Sequence, residues 1–149
     1  RVIAVAFGAE DLTNDMGVQR TDNDSQFSYA RDTIAIAASA AGVLALDTPF
    51  FRLGDLEGLR AECQLGRRGG FHGKFAIHPE QIDIINETYS PSASEVQRAQ
   101  KVVDAFRQAE IQGHGSLSLE GRVVDVPVVR RAEKLLGLAQ QARRKSGGT

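Results

Sequence analysis

Acidic side chains follow a short apolar segment near the start of the chain. Residues 2–7 are all apolar, and after Gly8 the chain reaches Glu10, Asp11 and Asp15. In parallel α/β proteins the loops that follow the strands carry the chemistry, and Mg²⁺ is usually held by one or two carboxylates with waters and substrate oxygens. Asp11 is therefore the candidate metal ligand, since its neighbour Glu10 should point elsewhere. The spacing also fits an aspartate that only caps a helix or turn, so the pattern leaves both roles open.

Two further polar side chains follow apolar segments in the same way. Asp47 comes directly after residues 43–46, and His78 comes directly after residues 74–77. Either side chain could bind a ligand, but Asp47 would also serve as a turn cap, and His78 would also satisfy backbone carbonyls. Lys74 lies inside a strand pattern, where a lysine implies a nearby anion or an edge position. The spacing of the acids therefore supports an acidic site but does not indicate which reaction it would catalyse.

Asp125 is the most isolated acid of the chain. It lies between apolar residues, two positions before Pro127. Aspartate is favoured at a helix N-cap, and proline is favoured at the first helical position. The pattern alone therefore favours a helix cap over a catalytic acid.

The elements that would position these residues alternate between strand and helix. Continuous apolar runs predict strands at residues 2–7, 43–46 and 74–77, of the kind that is covered on both faces, with a polar loop over residues 13–26. Apolar side chains at helical spacing predict the helices: residues 29–41 ending at Gly42, residues 55–66, residues 80–89, a longer helix capped by Ser94, and residues 127–140.

This alternation predicts an α/β fold with three parallel strands. A (β/α)8 TIM barrel needs about 250 residues, so residues 1–90 would be the C-terminal half of a barrel. Residues 91–149 would then be a helical extension of the same domain, with a short hairpin that turns at Glu120 and Gly121. A small open α/β sheet that is complete in itself is the alternative.

Composition excludes several classes of protein. The chain has 149 residues, of which 42% are hydrophobic, and its net charge is −1 with acids and bases mixed along it. No electrostatic footprint for nucleic acid or an anionic membrane is evident. Cys63 cannot form an internal disulfide, and neither a membrane-spanning run nor a signal-peptide pattern is present, which predicts a cytoplasmic protein. Arg1 stands directly before an apolar strand pattern, so we expect the chain to begin inside a larger protein.

Five segments, in order and with compatible gaps, closely resemble the C-terminal half of citrate lyase beta-subunit-like proteins. They are FGAEDLTNDMG, AAGVLALDTPF, LEGLRAE, GFHGKFAIHPEQIDIINETYSPS and GRVVDVPVVRRAEKLL. Those proteins belong to the HpcH/HpaI aldolase and citrate lyase superfamily of barrels. The resemblance covers nearly all of residues 1–140.

The resemblance implies roles for individual residues. Asp11 matches an acid that binds Mg²⁺, while a glutamate ligand and a substrate-gripping arginine of the family are expected upstream of this chain. Asp125 resembles an acid that works in proton transfer in a neighbouring subunit's site. The remaining positions resemble those that line the site mouth or contact the thioester arm: Asp47, Thr48, Pro49, Lys74, His78 and Gln81.

The function implied is that of a Mg²⁺-dependent carbon–carbon lyase. Its substrate would be a β-hydroxyacyl thioester, such as citryl-, malyl- or citramalyl-CoA, carried by coenzyme A or an acyl carrier protein. The protein would form a homo-oligomer, with a trimer usual in the family, and no nucleic-acid or membrane partner is expected. Two alternatives stay open: a metal-dependent aldolase on free 2-oxo acids, and a non-catalytic accessory paralogue. The 149-residue piece alone is expected to be inactive.

Overall fold

The computed structural model describes residues 1–21 and 25–146, which form two compact units, residues 1–89 and the residues from 90 onward. The interpretation of these units as a barrel half and an extension stays a prediction. Residues 22–24, part of the predicted loop over 13–26, lie outside the described residues. None of the helices in the described part of the chain combines the length and apolar character needed to cross a membrane.

The first unit contains a parallel sheet, which confirms the predicted α/β class. Its strands are β1 (Ala4–Ala6), β2 (Leu44–Asp47) and β3 (Gly73–Lys74), in the order β1-β2-β3. β3 is shorter than the predicted strand over 74–77. The N–H of Ile77 donates to Oε1 of Gln81 at 2.9 Å instead of to a strand, so the chain leaves the sheet there.

Only one face of this sheet is covered within the described residues. Ala45 and Asp47 are 0% exposed, whereas Leu44, which points to the opposite face, is 47% exposed. Val2 and Ile3 are also exposed. The prediction of a strand over residues 2–7 that is buried on both faces is therefore wrong for the described chain.

Four helices follow the strands or connect them. They are α1 (Ala9–Met16), α2 (Ser28–Ala41), α3 (Leu56–Arg68) and α4 (Gln81–Tyr89), with a 3-10 turn at Ser25–Phe27. The loop predicted over residues 13–26 begins later than expected, so its predicted start is wrong: α1 continues to Met16 and is capped by Gly17. Gly17 and Gly42 both adopt φ of 66°, a left-handed conformation that glycine enters without steric cost, and Gly42 ends α2 as predicted.

The second unit consists of two helices and a hairpin: α5 (Ala93–Ile111), β4 (Leu117–Leu119), β5 (Arg122–Val124) and α6 (Val126–Ser146). The hairpin turns at Glu120 and Gly121 as predicted, and both have positive φ, at 51° and 75°. The N-cap of α5 is Ser92 instead of Ser94. Ser92 forms a capping box with Glu95, because its extended backbone lets the hydroxyl accept from the N–H of Glu95.

Gly66 in α3 allows a test of how tightly the first unit is packed, and Gly137 in α6 of the second unit serves as a control. A Cβ on Gly66 of α3 would lie 2.7 Å from the Tyr89 hydroxyl and 3.0 Å from Oδ2 of Asp47, whereas a Cβ on Gly137 of α6 would meet nothing within 4 Å. We expect Gly66→Ala to lower the free energy of unfolding by about 1–3 kcal/mol through overpacking. Gly137→Ala should raise it by about 0.5–1 kcal/mol through helix propensity.

Urea unfolding of both variants measures the two changes. Equal stabilisation by both substitutions would show that α3 has room for a methyl group beside Asp47.

Candidate functional site

Four charged side chains form a buried network behind the carboxyl ends of β2 and β3. We call Arg31, Asp47, Glu62 and Lys74 the charge network. Asp47 Oδ1 accepts from Nε of Arg31 at 3.0 Å, and Asp47 Oδ2 lies 3.3 Å from Nζ of Lys74. Glu62 Oε1 completes the network, at 3.0 Å from Nη2 of Arg31 and 2.5 Å from Nζ of Lys74.

The charge network balances two cations against two carboxylates away from solvent. The side chains of Asp47 and Lys74 are 0% exposed, and those of Arg31 and Glu62 are 7% and 11% exposed. Each member comes from a different element, so the contacts join α2, β2, α3 and β3. Charges desolvated to this degree are tolerated only when each is paired and hydrogen-bonded. The network therefore fixes how these four elements meet.

Thr48 connects the charge network to the start of α1. Its backbone N–H donates to Oδ1 of Asp47 at 2.9 Å, and its Oγ1 accepts from the backbone N–H of Ala9 at 3.2 Å. Ala9 is the first residue of α1, and the N-cap Gly8 has no side chain to satisfy such an N–H. The hydroxyl of Thr48 thus holds the beginning of α1 against the end of β2.

Asp11 lies in the first turn of the helix that Thr48 holds. Its side chain is exposed, and a Cβ on Gly8 would come 2.9 Å from its Oδ2, so the carboxylate turns back over Gly8 toward the end of β1. Glu10 points elsewhere, with Oε1 at 2.9 Å from Nη1 of Arg20. Of these two acids, Asp11 has the carboxylate that lies over Gly8, and its role as a metal ligand stays a prediction.

The donor set fits part of a magnesium site. One exposed carboxylate with room for waters and substrate oxygens matches the way that Mg²⁺ is bound. Among residues 1–21 and 25–146, no three His, Cys, Asp or Glu side chains are grouped as metal ligands. Asp11 thus fits as one ligand of a site whose other protein ligand, a glutamate, is expected upstream from the family resemblance.

The predicted substrate-binding residues divide by exposure. Asp47, Thr48, Lys74 and Gln81 are buried, and their side chains are bonded within the protein; the Gln81 amide, for example, donates from Nε2 to the Phe50 carbonyl at 2.8 Å. His78 and Pro49 are half-buried, and Nδ1 of His78 accepts from the N–H of Glu80 at 3.4 Å. A binding role stays a prediction for all six, and only His78 and Pro49 have side chains partly open to a ligand.

Asp125 is the N-cap of α6, as the pattern of residues favours. Its Oδ1 accepts from the N–H of Val128 at 3.3 Å, and its backbone carbonyl accepts from the N–H of Val129 at 3.0 Å. The side chain is half-buried, and no described residue is bonded to Oδ2. One carboxylate oxygen therefore stays available while the other caps the helix.

Cys63 is not placed to act as a nucleophile. The residue is 0% exposed, and burial raises the pKa of its thiol to about 11, against a smaller opposing effect of Lys74. The thiol therefore stays protonated at neutral pH.

The family model described as HpcH/HpaI aldolase/citrate lyase matches residues 1–79 of this chain. The chain belongs to this family. The matched residues include β1, α1, the charge network, Thr48 and His78, whereas Gln81 and Asp125 lie outside the matched range.

Individual relatives match over most of the chain. The citrate lyase subunit beta of Leuconostoc mesenteroides is 43% identical over 139 residues, which are 93% of this chain and 46% of the relative. The mitochondrial citramalyl-CoA lyase of Homo sapiens is 32% identical over 95% of this chain and 42% of its own length. This chain therefore spans less than half the length of these two relatives.

A solved structure shares the fold. The protein CitE from Mycobacterium tuberculosis, in complex with magnesium, acetoacetate and coenzyme A, matches with a TM-score of 0.77 at 35% identity. The match covers 91% of this chain and 51% of that one.

Sequence reasoning missed two members of the charge network, Arg31 and Glu62. A signal for each is present in the helical spacing. Arg31 lies on the same stripe of α2 as the buried Ala35 and Ala38, and Glu62 lies on the stripe of α3 between Leu59 and Gly66. A charged residue on a stripe that faces the core implies a buried partner of opposite charge.

The charge network predicts a strong dependence of stability on Asp47. Asp47→Asn keeps the side chain's shape but leaves Arg31 and Lys74 with a single carboxylate in a desolvated site. We expect the free energy of unfolding to fall by about 3 kcal/mol or more. Asp32→Asn, which removes one charge at an exposed position of α2, should change it by about 0.5 kcal/mol or less.

Urea titrations of the two variants measure the difference. If Asp47→Asn unfolds at the same urea concentration as Asp32→Asn, the network does not hold the four elements together.

Proposed function

We propose that the complete protein is a Mg²⁺-dependent carbon–carbon lyase that cleaves or forms a β-hydroxyacyl thioester. The observation that carries this proposal is the placement of Asp11, an exposed carboxylate at the end of a parallel strand on a helix anchored by Thr48. Family membership supports it, as do the citrate lyase and citramalyl-CoA lyase relatives. The similar CitE structure holds magnesium and coenzyme A.

The proposal also concerns the fold of the complete protein. We infer that the three parallel strands are the C-terminal half of a TIM-type barrel whose other strands lie in sequence outside these 149 residues. The face of β2 that carries Leu44 is open, and the interior of a barrel of this kind is filled by side chains such as leucine and valine. Strands from the other half would cover that face.

Asp11 would hold the metal ion on this side of the site. When bound, Mg²⁺ supplies Lewis-acid stabilisation of negative charge on the substrate oxygens and orients them. Thr48 keeps Asp11 in position by fixing the first turn of α1. The second metal ligand and the arginine that grips the substrate carboxylate would come from the other half of the barrel.

Asp125 would handle the proton at the substrate's α-carbon. In cleavage the substrate hydroxyl loses its proton and the bond between the α and β carbons breaks, and Asp125 would then protonate the enolate carbon of the leaving thioester. In synthesis, the reverse, Asp125 would remove a methyl proton and the β-oxygen would regain one. A positioned group of this kind contributes typically ~10²–10⁴-fold in rate. We propose that Asp125 acts in the site of a neighbouring subunit of a homo-oligomer, for which a trimer is expected. Its Oδ2, unbonded among the described residues, is the oxygen that would do so.

Contacts with the thioester arm are assigned by exposure. His78 and Pro49 would touch the arm of coenzyme A or of an acyl carrier protein, since their side chains are partly open. The other four predicted residues would support the opening of the site without touching the ligand, because their side chains are buried: Asp47, Thr48, Lys74 and Gln81. The proposed location of the enzyme is the cytoplasm.

Two alternatives are separated by the choice of substrate. A metal-dependent aldolase on free 2-oxo acids would act without a thioester, so free acids are assayed beside their CoA esters. A non-catalytic paralogue would turn over neither. The availability of both Asp11 and Asp125 favours the lyase.

If two subunits contribute residues to one site, two inactive variants of the complete protein should restore activity when they are mixed. Asp11→Asn should lose Mg²⁺-dependent activity because it removes a metal ligand. Asp125→Asn should lower kcat by about 10²–10⁴-fold while Mg²⁺ affinity is retained, and asparagine still caps α6. Co-expression of the two should restore about a quarter of wild-type activity, since random mixing completes about one site in four.

Thioester cleavage by the purified mixture, compared with each parent, is the measurement. A mixture as inactive as its parents would show that Asp125 does not act across a subunit boundary. Full activity of Asp125→Asn would remove it from the mechanism.

A further inference from the structure

The near-neutral total charge conceals two units of opposite sign. Residues 1–89 carry eight Lys and Arg against thirteen Asp and Glu, a net charge of −5. Residues 90–149 carry ten against six, a net charge of +4. Acids and bases are mixed along the sequence as a whole. Counted by unit they are less evenly distributed, and the second unit has an excess of cations.

Four of these cations surround one groove of the second unit. A cavity of about 350 Å³ between α5, the hairpin and α6 is lined by Arg98, Lys101, Arg122 and Arg131, and we call it the basic groove. Three elements contribute: Arg98 and Lys101 lie three residues apart on α5, Arg122 is on β5, and Arg131 is on α6. Side chains at this spacing on a helix share a face.

The cations of the basic groove are poorly compensated. Glu120 is the acid that lines it, and its Oε1 lies 3.9 Å from Nζ of Lys101, at an exposed position. In the described part of the chain, no carboxylate lies within ion-pair distance of Arg98, Arg122 or Arg131. Four cations that face one acid repel each other, and this repulsion is relieved when an anion binds.

The floor of the groove is apolar and built into the core of the unit. Val124 is 3% exposed, and Val102 and Val128 pack against the same cluster. Beside the groove, a second cavity of about 360 Å³ shares Arg98, Lys101, Glu120 and Arg122 and adds the polar side chains of Ser94 and Gln97. The surface thus combines a fixed floor, several guanidinium groups and neutral hydrogen-bonding groups.

We propose that the basic groove binds a small molecule that carries closely spaced phosphates, such as a diphosphate. A guanidinium group presents a planar fork of donors that matches phosphate oxygens in pairs. Arginines from three elements around one cavity give the convergent arrangement that a compact, multiply charged anion requires. The limited volume favours a small ligand over a polymer, which would need a charged stripe along the surface. The site uses neither Asp11 nor Asp125, so the test of pyrophosphate binding does not depend on the lyase proposal.

The test compares two double variants of the complete protein with equal net charge. Arg98→Gln with Arg122→Gln removes two cations of the groove. Arg107→Gln with Lys134→Gln removes two exposed cations of the same unit, on α5 and α6, that do not line it. Inorganic pyrophosphate is titrated into each protein by calorimetry at low salt, and circular dichroism checks that each variant is folded.

We expect pyrophosphate to bind the wild type and the Arg107/Lys134 variant with similar affinity, and the Arg98/Arg122 variant about tenfold or more weakly. Added salt should weaken binding to the wild type. Absence of binding to the wild type, or equal affinities of the two variants, would overturn the proposal.

Competition then identifies the source of the phosphates. Displacement of pyrophosphate by coenzyme A, but not by pantetheine, would assign the groove to the phosphates of a nucleotide carrier. Failure of coenzyme A to displace pyrophosphate would assign it to a separate phosphorylated metabolite. Either result retains the diphosphate site.

Discussion

The interaction on which the first unit depends is the buried pairing of Asp47 with Arg31 and Lys74. Burying an ionised carboxylate that is 0% exposed is costly unless it is paired and hydrogen-bonded. Arg31 and Lys74 supply this pairing, and both also contact Glu62. Because the four side chains come from two strands and two helices, satisfying them fixes the arrangement of the elements around the strand ends. Thr48, adjacent to Asp47, extends that order to the first N–H of α1. The first turn of α1, which carries Asp11, is therefore anchored to the end of β2.

Sequence patterns identified the elements more reliably than their limits or their partners. β2 and α2 were predictable because an apolar run and a terminal glycine specify them locally. The early end of β3 was not, since it depends on Gln81 capturing the N–H of Ile77 from a position in the next helix. Lys74 was expected to have a nearby anion, and Asp47 to be a ligand or a turn cap. The two side chains pair with each other, but the other two members of the charge network, which complete it, lie in α2 and α3. Pairing between elements far apart in sequence is what a single sequence reveals least.

Arginine is used in two different ways, in the charge network and in the basic groove. Arg31 is buried and pairs with two carboxylates, so it contributes to the shape of the site. Arg98, Arg122 and Arg131 of the second unit are exposed and surround an apolar floor, where their charge remains available to a ligand. Asp125 combines both kinds of use, because one oxygen caps α6 and the other has no partner among the described residues. A residue that serves a helix with one atom can thus offer chemistry with another.

The most direct test of the account is the Mn²⁺ affinity of the complete protein, with Mn²⁺ as a spectroscopic substitute for Mg²⁺, in Thr48→Val and Thr48→Ser. Valine nearly keeps the shape of threonine but leaves the N–H of Ala9 without its acceptor, whereas serine keeps the hydroxyl. If the charge network positions Asp11 through Thr48, electron paramagnetic resonance titration will show about tenfold weaker Mn²⁺ binding in Thr48→Val and nearly unchanged binding in Thr48→Ser. Equal, wild-type affinity in two folded variants would contradict the account, because Asp11 would then be held independently of the network.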